Sequence, residues 1–218
     1  RQPHNVVGSD FRPRGDLQVL DKALADSSSV TTRLKAMWAL KLISHLSTDD
    51  EAKLQSDPSE IVRAWAARMN SESLWPKKKI AVADLGPDAQ SPKQPAPDSS
   101  SEVFGVMAKM ASKETSPIVR RALASGLQKQ KLEIRHKLAT ALLSHGEDKD
   151  DPMIPLLIWY GIEPLVGADP KAGLELARAS KLPKVTEFIY RRLSSDDAGR
   201  ASILSELTKE PDAAKREA

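Results

Sequence analysis

Residues 150–166 read DDPMIPLLIWYGIEPLV and form the densest apolar run in the chain. Apolar residues stand at positions 153, 154, 156, 157, 160, 161, 164 and 165, which is the spacing of one helix face. Ile158, Trp159 and Ile162 fill much of the opposite face. A helix that is apolar nearly all round is typical of a central helix with others packed around it. The run therefore predicts a buried helix over about 153–163, with a bend or a new turn at Pro164.

The remainder of the chain favours an all-α fold of about ten helices. Only 4% of its 218 residues are aromatic, and the small apolar residues are mostly Ala and Leu, which enter helices at little cost. Helical spacing of apolar residues predicts further helices, for example over 30–46, 117–130 and 132–145. No stretch shows the alternation of a strand.

Four regions follow from this pattern. Residues 1–16 predict an irregular lead-in, and 17–209 predict a helical repeat domain. That domain is interrupted at 84–100, where four prolines without any apolar period indicate a loop or a disordered insertion. Residues 210–218 predict a polar tail.

Charge and cysteine content exclude several kinds of site. Thirty-three basic residues stand against 30 acidic ones, so the net charge of +3 permits a nucleic-acid partner without arguing for one. The absence of Cys excludes disulfides, thiolate metal sites, a Cys nucleophile and covalent haem attachment in this sequence.

No apolar run reaches the roughly 20 residues that span a bilayer. Because the chain opens at Arg1 without a leader pattern, we interpret it as a piece of a longer protein.

A repeat connects two of the predicted helices. DPSEIVRAWAAR at 57–68 and TSPIVRRALA at 115–124 share a capped Pro, a Val-Arg pair and an Ala-rich continuation. Val62 and Val119 are 57 positions apart, and removing the 17 residues of 84–100 leaves 40. Because HEAT and armadillo repeats have periods of about 40–47 residues, the spacing predicts an α-solenoid of HEAT-like helical hairpins. An irregular helical bundle is the alternative.

Two longer segments, 135–165 and 179–193, resemble the middle region of a family of large planctomycete and verrucomicrobial proteins. These are described as membrane-bound dehydrogenase-type or haem-binding CxxCH proteins, with a β-propeller, then HEAT repeats, then a c-type cytochrome module. The resemblance implies an extracytoplasmic location, flanking propeller and cytochrome modules as partners, and a non-catalytic scaffold without a cofactor of its own. The Val-Arg pattern by itself resembles the second helix of a HEAT repeat, which implies that the Val points into the core and the Arg pairs with acidic groups of a neighbouring repeat. No catalytic, haem-binding or metal-binding residue carries over from the family.

Aromatic and acidic residues offer weaker candidates for a site. Trp159 and Tyr160 could stack on a ligand, but their helical spacing favours core packing, as it does for Trp38 and Trp65. The acidic segment 145–151 could bind a hard cation, but it lacks the EF-hand spacing and is better interpreted as a solvated loop in which Asp151 caps the next helix. His136 and His145 are nine positions apart, which does not fit a zinc pair on one helix.

The basic residues supply the only interaction surface that the sequence suggests. Its members are Arg63, Arg120, Arg121, Arg191 and Arg192. On a scaffold they would contact a protein partner or a flanking domain. The alternative function is a nucleic-acid-binding helical-repeat protein similar to the helical-repeat DNA glycosylases, with these guanidinium groups on phosphates. An enzyme with its site in the 84–100 loop is a third and weaker hypothesis.

Overall fold

The computed structural model describes residues 14–26, 28–43, 45–73 and 100–209. Every regular element in these ranges is a helix, with eleven α-helices and two short 3₁₀ helices, so the all-α prediction is confirmed. Most of the predicted lead-in, the insertion at 84–99 and the tail at 210–218 lie outside these residues. No helix in the described ranges is long and apolar enough to cross a bilayer.

The chain divides into two compact units, Arg1–Val62 and Arg63–Ala218. Three helices lie in the first unit: α1 Arg14–Asp26, α2 Val30–Leu42 and α3 Thr48–Leu54. Helix α4, Glu60–Ser73, begins just before the boundary. The second unit continues with α5 Ser100–Lys113, α6 Pro117–Gly126, α7 Leu132–Leu143, α8 Ile154–Ala168, α9 Pro170–Ala179, α10 Pro183–Leu193 and α11 Asp197–Lys209.

Local sequence explains where these helices begin. Ser47 and Asp50 form a reciprocal capping box at the start of α3, in which each side chain bonds the other residue's backbone N–H. Asp169 caps α9 by accepting hydrogen bonds from the backbone N–H groups of Lys171 and Ala172. Helices α6, α9 and α10 each open on a proline, whose missing N–H costs nothing in the first turn.

Helix α8 is the centre of the second unit, as residues 150–166 predict. It contacts α6, α7, α9 and α10. Ile154, Ile158, Ile162 and Val166 on this helix are fully buried. They share one core with residues of the four neighbouring helices.

Helices α8 and α10 run side by side in the same direction. The rings of Trp159 and Phe188, each the sixth residue of its helix, have centroids 5.5 Å apart. Four residues further along each helix, Arg192 Nε donates to Glu163 Oε1 at 2.9 Å. Helix α7 in turn contacts α5 and α9 as well as α8.

The predicted end of α8 is wrong, because the helix continues through Pro164 to Ala168. Pro164 deprives the carbonyl of Tyr160 of its helical donor. The burial of Leu165 and Val166 beyond it offsets this cost. In addition, Arg135 Nη1 donates to the neighbouring carbonyl of Gly161 at 2.6 Å, which satisfies an acceptor beside the irregularity.

Helices α2 and α6 also end about four residues earlier than predicted, and α7 ends at Leu143, two residues early. Helix α2 stops at Leu42, which is 86% exposed, so the apolar residues near its end do not form a continuing buried stripe. Helix α6 stops at Gly126 and passes into a 3₁₀ helix over Leu127–Lys129. At the ends of α2 and α6 the chain turns toward the next helix, and the spacing of apolar residues does not predict where such a turn begins.

Candidate interaction surface

Arg120 lies in the interior and not on a surface. Only 2% of its side chain is exposed, and only 3% of its partner Asp148. Its Nε and Nη2 atoms each donate to a different carboxylate oxygen of Asp148, both at 2.6 Å, while Nη1 donates to the backbone carbonyl of Glu114 at 2.9 Å. This planar, two-point match between guanidinium and carboxylate is the strongest geometry available to such a pair.

The same contact occurs twice more among the residues that the structure describes. Arg33 donates from Nε and Nη2 to the two carboxylate oxygens of Asp57, both at 2.9 Å. Arg63 does so to Glu114, also at 2.9 Å for both bonds. We call these three contacts the Arg–carboxylate forks: Arg33–Asp57, Arg63–Glu114 and Arg120–Asp148.

The forks share one position in the succession of helices. Each arginine is the fourth residue of an even-numbered helix, α2, α4 or α6. Each carboxylate lies in the connection between the next two helices, between α3 and α4, α5 and α6, or α7 and α8. Each fork therefore links the second helix of one pair to the connection inside the following pair.

The residue before the arginine explains its orientation. Val62 and Val119, directly before Arg63 and Arg120, are fully buried. Because neighbouring residues on a helix are about 100° apart, a buried Val places the next side chain at the edge of the packed face. There the guanidinium reaches the adjoining loop. The implied roles of Val and Arg agree with this geometry in α4 and α6.

Hydrogen bonds and ion pairing favour the ionised forms of Glu114 and Arg120. Burial acts to raise the pKa of Glu114, but the Arg63 guanidinium and the backbone N–H groups of Ser116 and Thr115 outweigh it and lower that pKa. The hydrogen bond to Asp148 raises the pKa of Arg120 despite desolvation. Paired and hydrogen-bonded in this way, the buried charges avoid the large cost of isolation from water.

Of the other three arginines of the predicted surface, Arg121 and Arg191 are exposed and Arg192 is half-buried, and each has an acidic partner. Arg121 Nη2 bonds Asp151 at 2.9 Å, and 45% of its side chain is exposed. Arg191 bonds Glu187, four residues earlier on α10, at 2.6 Å.

Arg192 bonds both Glu163 and Asp196, each at 2.9 Å, and these two hydrogen bonds raise its pKa. The structure therefore does not bring the five predicted arginines together into one exposed patch. Burial excludes Arg120 from any such surface.

This pairing bears on the nucleic-acid alternative. A phosphate-binding face needs cations that gain a partner when the ligand arrives. All five arginines already have carboxylate partners, so phosphate would have to displace an acidic group at each one. The geometry gives the DNA-glycosylase-like hypothesis no support from these residues.

The acidic segment 145–151 is only partly the solvated loop that its composition predicts. Asp151 does cap the next helix, since its Oδ1 accepts from the backbone N–H groups of Met153 and Ile154 at 2.8 Å. Asp148, however, is buried in a fork. Across the described ranges, no group of three or more His, Cys, Asp or Glu residues has the geometry to hold a metal ion.

The aromatic residues behave differently from one another. Trp159 packs against the core and against Phe188, as predicted. Tyr160 was predicted to be a core residue and is instead 57% exposed, because it lies opposite the buried stripe of Ile158 and Ile162. Trp38 is 39% exposed, which also contradicts its predicted place in the core. Trp65 is half-buried and lies 5.2 Å from the guanidinium carbon of Arg68, in a cation–π contact.

Sequence reasoning missed Arg33 and all three carboxylates of the forks. A usable signal for Arg33 was its place four residues after the capping Ser29. For Asp57 and Glu114, the signal was an acidic residue shortly before a proline at the start of a helix: Asp57 directly precedes Pro58, two residues before α4, and Glu114 stands three positions before Pro117, which opens α6. Asp148 stands four positions before Pro152 and has three other acidic residues beside it, Glu147, Asp150 and Asp151, so its position does not single it out.

Comparison with protein-family models, with curated proteins and with solved structures found no match to this chain.

Proposed function

We propose that this chain is a non-catalytic helical-repeat scaffold, with HEAT-like hairpins stacked as a solenoid. The observation that carries the proposal is the recurrence of the Arg–carboxylate fork at one position in three successive helix pairs. An ion pair that is buried or partly buried and recurs in register would fix how one hairpin packs on the next, because a hairpin cannot bury its own apolar face alone. The arginines of the three forks would therefore stabilise the packing of the hairpins and would not bind a ligand.

The neighbour pattern of the second unit supports the same proposal. Helices α6, α8 and α10 contact one another in order, and α5, α7 and α9 do the same. Two rows of this kind are what a stack of hairpins produces. An irregular bundle has no reason to repeat a contact at the fourth residue of alternate helices.

We propose further that the scaffold belongs to a dehydrogenase-type c-type cytochrome protein and acts outside the cytoplasm. In that setting it holds a propeller and a cytochrome module at a fixed separation, and these flanking domains are its partners. The support is the resemblance of residues 135–165 and 179–193 to the middle region of that family. Redox chemistry and its cofactor would belong to the flanking modules.

Two experiments on the purified chain test the scaffold. Haem is titrated into the protein and followed by its Soret absorption, and candidate sugars are assayed with an artificial electron acceptor. The proposal expects neither binding nor turnover, and either result would overturn the non-catalytic assignment. The gene around this segment tests the family assignment. If it encodes no propeller before the segment and no CxxCH sequence after it, the family assignment is refuted, while the scaffold proposal is unaffected.

A DNA titration separates the scaffold from its alternative. Labelled duplex DNA is mixed with the chain at about 50 mM and then about 200 mM salt, a range over which phosphate-directed binding falls by orders of magnitude. If the chain is a scaffold, we expect it to bind no duplex DNA at either salt concentration. Binding at the lower concentration that disappears at the higher one would favour the nucleic-acid hypothesis.

A further inference from the structure

Four lysine side chains are exposed on three consecutive odd-numbered helices of the second unit. They are Lys109 and Lys113 on α5, Lys137 on α7 and Lys171 on α9. Among the residues that the structure describes, no carboxylate lies within ion-pair distance of any of them. We call these four residues the lysine face. They differ in this respect from the five arginines discussed above, all of which have carboxylate partners.

The four side chains point away from the core. Each lysine stands two positions from a buried residue of its own helix, which is Ala111 on α5, Ala139 on α7 or Gly173 on α9. Because two positions on a helix are about 200° apart, each lysine lies nearly opposite the buried side of its helix. The buried sides of the three helices share one core, so their exposed sides face outward together. Helix α7 contacts both α5 and α9, and packed helices lie about 8–10 Å apart, so the lysine face extends over roughly 20 Å.

The acidic groups that the structure describes near the lysine face have other partners. Glu175 of α9 has its Oε2 atom 3.3 Å from Nε2 of His136. Glu206 of α11 has its Oε1 atom 3.1 Å from Nη2 of Arg178. The ammonium groups of the lysine face are therefore available to an external anion.

The composition of this face disfavours a protein partner. Protein interfaces are anchored by aromatic, Met and Arg side chains and are depleted in Lys. Among the described side chains of α5, α7 and α9, no large apolar residue is exposed, whereas Ile118, Tyr160 and Tyr190 are exposed on even-numbered helices. A protein partner would therefore find its apolar anchors on the even-numbered helices and not on the lysine face.

A nucleic acid also fits this face less well than a bilayer does. Proteins that bind single strands add aromatic or Arg side chains that stack on the bases. The described side chains of α5, α7 and α9 include no exposed aromatic ring, and the exposed Arg178 is bonded to Glu206. A duplex is a cylinder, which touches a row of helices along one line and reaches only part of the lysine face. A bilayer surface is a plane of mobile headgroups, which can meet all four ammonium groups at once.

We propose that the lysine face is a peripheral binding surface for a bilayer that contains anionic lipids, with its ammonium groups on the headgroup phosphates. Each lysine close to such a surface strengthens binding about fivefold, which corresponds to about 1 kcal/mol. The four together give a preference of several hundredfold for anionic over neutral lipid. Because the attraction is electrostatic, salt at about 500 mM should abolish it. This inference is independent of the scaffold proposal and of the family assignment.

Sedimentation of the whole chain with sucrose-loaded vesicles tests the proposal. One set of vesicles is pure phosphatidylcholine, and the other contains about 30% phosphatidylglycerol, whose headgroup is anionic. The test variant replaces the four lysines of the face and combines Lys109→Gln, Lys113→Gln, Lys137→Gln and Lys171→Gln. The control variant replaces four exposed lysines elsewhere and combines Lys22→Gln, Lys35→Gln, Lys53→Gln and Lys184→Gln. Each variant removes four positive charges from a chain whose net charge is +3, so a difference between them reports position and not net charge.

At about 50 mM salt we expect the wild type to bind the anionic vesicles several hundredfold more tightly than the neutral ones. The test variant should lose this preference, whereas the control variant should keep it to within about fivefold. Equal binding of the wild type to the two kinds of vesicle, or none to either, would overturn the proposal, and this result depends on no variant. Equal losses in the two variants would overturn it as well. So would binding of duplex DNA or poly-L-glutamate through these lysines without binding to vesicles, which would assign the face to a nucleic acid or to a protein.

Discussion

Pro164 occupies the eleventh position of α8, and replacing it with Ala should stabilise the protein. A proline inside a helix is about 3 kcal/mol less favourable than alanine, because its N–H is missing and its ring crowds the preceding turn. Its side chain is exposed, so little apolar burial is lost in the substitution. Alanine would donate to the carbonyl of Tyr160.

Two effects reduce the gain below the full value. The unfolded chain becomes more flexible when proline is removed, which costs about 0.4–1 kcal/mol. In addition, Arg135 already satisfies the carbonyl of Gly161 beside the irregularity. We therefore expect Pro164→Ala to raise the free energy of unfolding by about 1–2 kcal/mol, or a few degrees in Tm for a chain of this size.

Urea denaturation followed by circular dichroism and tryptophan fluorescence measures the change. Pro183→Ala is the matched control, since Pro183 is also exposed but opens α10, where its missing N–H costs nothing. That variant should lose about 0.4–1 kcal/mol. The two substitutions should thus have opposite signs. A loss in Pro164→Ala as large as that in Pro183→Ala would refute the reasoning.

Two further predictions concern close packing and acid stability. Gly161→Ala should lower the free energy of unfolding by about 1–3 kcal/mol, because a Cβ there would collide with the side chain of Leu127. Gly167→Ala should cost less than Gly161→Ala, because its Cβ meets the movable guanidinium of Arg192; equal losses in urea denaturation would contradict this. Glu114 has a folded-state pKa below its ordinary value of 4.5, so its contribution is present above that pH and is lost as the pH falls through the lowered pKa. Unfolding free energies measured from pH 6 to pH 3 should therefore fall less steeply in Glu114→Gln than in the wild type or in the surface control Glu187→Gln, and equal slopes would show that Glu114 is not responsible.

The helices themselves could be predicted from the sequence for identifiable reasons. Prolines at 117, 170 and 183 fix helix starts because their missing N–H is harmless there. The apolar run at 150–166 locates the central helix because no other stretch can bury as much surface. These are local signals, and each is contained within a few turns of chain.

The buried face of α8 could not be predicted, because the run carries two overlapping apolar stripes. Residues 153, 157, 160 and 164 form one stripe, and 154, 158, 161, 162 and 165 form the other. The second is buried because α6, the 3₁₀ helix that follows it and α10 flank it: Leu127 of the 3₁₀ helix packs against Gly161, and Phe188 of α10 contacts Trp159 beside the stripe. Only the neighbours decide between the two stripes.

The partners of the arginines were equally beyond sequence reasoning. Arg63 and Glu114 are 51 positions apart, and Arg120 and Asp148 are 28 apart. Near Asp148, three other acidic residues have the same composition signal as the true partner. Burial of Arg120 also depends on the closeness of the 145–151 segment, so its assignment to an exposed surface failed for a tertiary reason.

The central claim is that the Arg–carboxylate forks fix one hairpin against the next. A double-mutant cycle on Arg120→Met and Asp148→Leu, with unfolding free energies from urea denaturation, tests it most directly. Each single variant leaves a buried charge unpaired and should lose about 3–5 kcal/mol, whereas Arg121→Met in an exposed pair should lose under about 1 kcal/mol. The double variant should lose markedly less than the sum of the single losses, with a coupling of at least about 2 kcal/mol. Additive losses would contradict the claim.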